Sequence, residues 1–264
     1  MELTLGDVEQ TALIPVAIKA AETLRTNARI KDDVALSIIR NLNVDLHSYD
    51  HFLSHEGVIA RTIMLDNMVK NYVSQHKNAV IVNLGAGFDN RFSRIDNGEI
   101  LWFDVDLPDS IAARRKVFAD KERVQMISAN VLDAAWVAPV KDALHKTNAP
   151  LLVLAEGLFM YLAFPEIQKL LCILTEEFSS GMLYAEMNSP IMVKHEKLHD
   201  TVKYTNAVFK SGTNSAQELC QLCEKLTFIE EHSFNEEMKK YSLRGKLFAA
   251  FFGRFNDRWA TFSW

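Results

Sequence analysis

Five short apolar runs recur through the middle of the chain: AVIVNL (79–84), EILWFDVD (99–106), VQMIS (124–128), PLLVLAE (150–156) and GMLYAEM (181–187). Helical patterns separate them, among them PDSIAARRKVFAD (108–120), a polar stretch after residue 128, and Pro165 to Phe178. A strand that is apolar without alternation is covered on both faces, and helical crossovers then demand a parallel sheet. LTFIEEHSF (226–234) and RWATFSW (258–264) add a final antiparallel pair. This order predicts an α/β fold: a mostly parallel, doubly covered sheet.

The first 78 residues read as helices. Asp7 can cap an amphipathic stretch through Leu24, a second runs from Asp33 to Leu42, and a third from His55 to about His76. No repeat or Pro/Gly-rich linker follows, so residues 1–78 read as a helical cover on an α/β core spanning 79–264. A helical cap is expected at about 190–225, the whole forming one compact unit.

A chain of 264 residues with 48% hydrophobic and 24% charged side chains can bury a full core. Its net charge of −5 gives no general attraction to nucleic acid or anionic membrane. No apolar stretch approaches the ~18 residues of a membrane span, and the acidic, polar start is unlike a signal peptide. Three cysteines make no disulfide framework, so a cytoplasmic location is expected. A small-molecule partner fits best; the oligomeric state is not encoded.

Ligands of an open α/β sheet bind at the carboxyl ends of its strands. The first such end is VNLGAGFDNRF (82–92). Gly85 permits a tight turn there and Gly87 lets a ligand approach the main chain. Asp104 and Asp106 close the next strand, 19 and 21 positions beyond Gly85, the spacing of a carboxylate that holds ribose hydroxyls. A dinucleotide would need a third small residue and no charge beside its phosphates, yet Asn90 and Asp89 stand there. A nucleoside ligand without phosphate has no such objection, and S-adenosylmethionine is one, with a cationic sulfonium.

Glu156 ends the strand LLVLAE and so lies at the ligand edge of the sheet. Arg61 falls between Val58 and Leu65 on the apolar face of its helix, where a guanidinium must snorkel or find a partner. A carboxylate such as that of methionine would satisfy it.

VNLGAGFDNRF, LWFDVDLPDSIAARRKVF and LAEGLFMYL (154–162), in this order, resemble the leucine carboxyl methyltransferase family, particularly its bacterial polyketide O-methyltransferase branch. The segment after residue 190 matches more loosely. The resemblance implies a class I methyltransferase fold that binds S-adenosylmethionine. It implies Arg61 at the methionine carboxylate, with Lys19 as a second group there, Gly85 and Gly87 along the cofactor, and Asp104 or Asp106 at the ribose. The family's usual Asp-Leu pair near the adenine is replaced by Asn130-Val131, with Asp133 close by. Glu156 would sit near the methionine amino group and Tyr161 near the cofactor or acceptor.

The expected function is therefore O-methylation of a carboxylate or phenolic hydroxyl of a small molecule. A carboxylate is already ionised at neutral pH, whereas a phenol profits from a base. Tyr161, His195, His199 and Tyr204 are the candidate groups for that step, although ordinary packing or surface roles suit each as well. The segment KHEKLHD (194–200) contains H-E-x-x-H, so a zinc hydrolase is the alternative, with Glu196 as base. It lacks an evident third ligand, and no metal is expected. A cofactor-binding protein without catalysis is the third reading. Cys220 and Cys223 form a lone C-x-x-C within a helical pattern, read as packing. RGKLFAAFFGRF (244–255) is read as a core-packing helix.

Overall fold

In the computed structural model, residues 11–42, 44–119, 121–194, 208–251, 253 and 256–264 are described. Seven strands form one sheet: β1 (Val80–Leu84), β2 (Leu101–Asp106), β3 (Val124–Ser128), β4 (Leu151–Ala155), β5 (Met182–Met187), β6 (Thr227–Ser233) and β7 (Arg258–Ser263). Their order is β3-β2-β1-β4-β5-β7-β6. The first five pair in parallel, while β7 runs antiparallel to both β5 and β6. Each strand lies within one or two residues of the apolar run that predicts it.

β1 and β4 are buried at every position, as unalternating sequences require. Between them the chain order reverses, which opens a crevice at their carboxyl ends. The sheet's two covers account for the apolar residues on either face. Val80, Val82 and Val153 pack with Leu170 and Leu174 of the helix Phe164–Glu177. Ile81, Leu152 and Trp259 pack with Leu65, Val69 and Tyr72.

Those last three residues belong to α3 (Phe52–Gln75), which follows α1 (Leu13–Thr23) and α2 (Asp33–Leu42). α1 joins α2 through Val16, Ala17, Ala20, Ala35 and Ile38, and meets α3 through Ile18 and Ile59. The proposed Asp7 cap lies outside the described residues. At the end of α1, Glu22 accepts hydrogen bonds from Arg29 N at 2.6 Å and Nε at 3.1 Å, and contacts His55 Nε2 at 2.8 Å. Burial works to raise its pKa, but these bonds prevail and hold it at about 2. A depressed folded-state pKa contributes stability above the unfolded value of 4.5, and that contribution is lost as pH falls towards about 2. Urea midpoints across this window should therefore fall less steeply for Glu22→Gln than for the parent.

The stretch 244–255 corrects an expectation. The helix Leu243–Phe251 does not pack in the core: Leu243 and Phe251 are 73% and 74% exposed. Apolar residues stand all round this segment, so composition alone names no buried face. Phe248 alone among its large apolar side chains packs against the core. Cys220 lies half-buried in the 3₁₀ turn Ala216–Gln221, and buried Cys223 sits just beyond it. Among the described residues no helix is long and apolar enough to cross a membrane.

Candidate functional site

β1 ends at Leu84 and the chain turns through Gly85 (φ +66°) and Gly87 (φ +46°), a region that side chains with a Cβ avoid. A Cβ on Gly87 would lie 3.1 Å from that of Ala12, and one on Gly85 would lie 3.2 Å from Leu158 Cδ1. The turn is tied to the next strand: Val105 O accepts from Gly85 N at 2.8 Å, and Asp106 Oδ2 accepts from Gly87 N at 2.7 Å.

This turn forms part of a cavity of about 370 Å³ between the sheet edge, α1 and α3. Arg61, Gly85, Gly87, Asp106, Asn130, Val131, Glu156 and Tyr161 all line it, as does Lys19. Asp104 does not. It is fully buried one pleat behind the strand end, where it accepts from Asn83 Nδ2 (3.1 Å), Trp102 Nε1 (2.8 Å) and Arg114 Nη2 (2.7 Å). These three bonds hold β1, β2 and the helix Pro108–Arg114 together. Of the two acidic strand-end residues, only Asp106 borders the cavity, because only it reaches the rim of the sheet. Burial raises its pKa, opposed by the N–H groups of Gly87 and Leu107.

Behind the turn lies an ion network that the sequence showed only in fragments. Arg91, 1% exposed, reaches Asp66 Oδ1 (2.7 Å), Asp89 Oδ2 (2.7 Å) and Glu156 Oε2 (2.6 Å). Arg94 joins Asp66 to Asp32. Lys19 lies 3.6 Å from Asp32 and 3.7 Å from Asp89. Burial opposes ionisation of Asp89 and Glu156, yet Arg91 beside both keeps each pKa below the ordinary range. The apparent loop defect at Asp89 is thus one corner of this network, and Arg91 supplies its counter-charge.

Arg61 projects from α3 between two carboxylates. Its Nη1 is 3.2 Å from Glu186 Oε2, and its Nε is 2.8 Å from Glu156 Oε1 but out of hydrogen-bonding line. Glu186 Oε2 also accepts from Gly157 N at 2.6 Å. Burial raises the Glu186 pKa against the pull of Arg61. Sequence reasoning missed Glu186, although a lone acid within the apolar run MLYAEM was a usable signal. It also missed Asn188 and Asp257, which line the same cavity and carry no motif. Tyr161 donates to Thr11 Oγ1 at 3.4 Å, and burial raises its pKa. Asn130 Oδ1 accepts from Leu132 N at 2.9 Å. His195, His199 and Tyr204, and with them the H-E-x-x-H motif, lie outside the described residues.

Residues 12–175 match the family model of leucine carboxyl methyltransferases. The tetracenomycin polyketide synthesis O-methyltransferase TcmP of Streptomyces glaucescens is 25% identical over 233 residues, 88% of this chain and 84% of that protein. Among solved structures, a candidate methyltransferase of Thermobifida fusca superposes with a TM-score of 0.62 at 11% identity, covering 95% of this chain and 93% of the other. Magnesium protoporphyrin IX methyltransferase of Synechocystis, solved with bound S-adenosylhomocysteine, gives 0.50 at 8% identity over 86% and 93%. The seven-stranded sheet, the glycine turn at its switch point and the matched span agree: the chain belongs to the leucine carboxyl methyltransferase family, and is an S-adenosylmethionine-dependent methyltransferase.

Proposed function

We propose that this methyltransferase acts on oxygen, transferring the methyl group to a phenolic hydroxyl or carboxylate of a small molecule. The observation that carries this reading is the composition of the cavity. Ile14, Pro15, Met160, Tyr161, Leu162 and Phe209 line the same space as the glycine turn and its carboxylates, a lining suited to an apolar or aromatic acceptor. The likeness to TcmP, an O-methyltransferase of polyketide synthesis, supports it.

The residues present fit the cofactor. The glycine turn leaves backbone where a Cβ would intrude, and the buried Arg61 Nε has no aligned acceptor. In this reading Arg61 donates to the methionine carboxylate, and Glu156 and Glu186 face the amino group. Asp106 accepts from the ribose hydroxyls, and Asn130 and Val131 border the adenine. Lys19, paired with two aspartates, buttresses the wall. S-adenosylmethionine supplies an electrophilic methyl on a cationic sulfur. The chain's own contribution is to align the acceptor with it and keep water out.

Titration calorimetry with S-adenosylhomocysteine tests the site. Arg61→Ala should weaken binding at least about tenfold, the loss expected for a charge-assisted bond. No binding by the parent, or equal binding by the variant, would overturn the assignment. Mass spectrometry of reactions with phenols and carboxylic acids then tests acceptor chemistry, and transfer only to nitrogen or sulfur acceptors would refute it.

A further inference from the structure

Charge and exposure combine in one segment ahead of β7. Residues 238–256 carry five basic side chains, Lys239, Lys240, Arg244, Lys246 and Arg254, and no acidic one, in a chain of net charge −5. The helix Leu243–Phe251 runs through this segment. One side of it rests on the short helix Asn235–Met238. Gly245 is buried there, so close that a Cβ would run into Met238 O, and Phe248 turns towards the core.

At 3.6 residues per turn, Leu243, Leu247 and Phe251 form one stripe on the outward side. All three are exposed. Arg244 borders the stripe on one flank and Lys246 on the other. The Arg244 guanidinium lies over the Phe52 ring at 5.7 Å from its centroid. The acids of the preceding helix are taken: Glu237 by Lys240 and Tyr241, and Glu236 by His232. Lys239, Arg244 and Lys246 are exposed. Lys239 and Lys246 also line one open hollow of about 490 Å³, with Ser233 and Asn235 in its wall.

We propose that this face docks the enzyme on an anionic lipid surface. Leu243, Leu247 and Phe251 enter the boundary of the acyl chains, while Arg244 and Lys246 stay at the level of the headgroups. Lys239 and Lys246 meet a headgroup phosphate across the hollow. Charge selects this occupant. A second copy of the chain would bring the same cations face to face, and a nucleic acid would engage the cations but leave the apolar stripe in water. Three apolar side chains and three cations make a reversible attachment that salt weakens. The docking is independent of the methyl acceptor.

The test is co-sedimentation of the full chain with two kinds of vesicle, phosphatidylcholine alone and phosphatidylcholine with about 30% phosphatidylserine. Binding is expected to the second only, and should fall at least about tenfold between about 0.1 M and about 0.5 M salt. Leu247→Ser with Phe251→Ser should weaken it at least about tenfold, and so should Arg244→Gln with Lys246→Gln. Both double variants should keep the circular dichroism of the parent. They should also keep its affinity for S-adenosylhomocysteine within about twofold, since none of these residues lines the cofactor cavity.

Binding to neither vesicle overturns the proposal, and so does equal binding to both, because charge would then play no part. Parent-like binding by Leu247→Ser with Phe251→Ser overturns it as well, by leaving only a diffuse attraction. A dimer in analytical ultracentrifugation that this same variant abolishes, without vesicle binding, assigns the face to a second copy instead.

Discussion

Gly87→Val is expected to lower affinity for S-adenosylhomocysteine by about a hundredfold or more, with the protein still folded. Two independent effects act at this position. At φ +46° a β-branched residue is strained, at a cost of about 1–3 kcal/mol, and its Cβ would meet Ala12 at 3.1 Å. Relief requires either a change in the turn or a retreat of α1 from the cavity wall. A shift of the turn moves the N–H that Asp106 Oδ2 accepts at 2.7 Å, disturbing the carboxylate proposed to hold the ribose. The branched methyls would also stand where the main chain is otherwise open to the ligand. Since tenfold in affinity is about 1.4 kcal/mol, two such disturbances suffice for a hundredfold. Calorimetry measures the affinity and far-ultraviolet circular dichroism the fold. Affinity within threefold of the parent would mean that the turn does not border the cofactor.

Arg91→Ala should produce the largest loss of stability of any single substitution in the site, about 3–5 kcal/mol by urea unfolding. The guanidinium is 1% exposed and its three nitrogens each meet a different carboxylate. Removing it leaves Asp66, Asp89 and Glu156 crowded and desolvated, with Arg94, Lys19, Arg61 and Arg114 left to offset them. The cost therefore comes less from the lost attraction than from buried charges left without partners. Those carboxylates can recover only by protonation, so the variant should lose less stability at pH 5 than at pH 8. A loss below about 1 kcal/mol at pH 8 would show that the network is hydrated and its charges screened.

Much of this architecture was legible in the residues. Strand runs without alternation and intervening helical patterns predict a parallel sheet, since each observation constrains the same backbone. The glycine pair at residues 85 and 87 and the carboxylate at 106 could be recognised because a local turn and a fixed crossover length set their spacing. Asp104 and Asp106 stand as alternatives in the sequence because a two-residue separation keeps both on one face of β2. It does not say which of them reaches the rim. The helix 243–251 was misjudged for a related reason: an apolar composition does not state whether a covering partner exists.

Local information in the chain thus determined the element order, the turn and the class of cofactor, through interactions set by sequence neighbours or by one crossover. Only the tertiary structure decided the electrostatics of the site. Arg61, Arg91, Glu156, Glu186 and Asp257 come from segments as much as 196 positions apart, and periodicity does not encode which of them meet. Nor does it encode which carboxylate oxygen is left without a partner. That depends on how α3 and the final antiparallel strands close over the end of the sheet, where buried acids are held as paired anions and Asp257 Oδ1 is left without a partner.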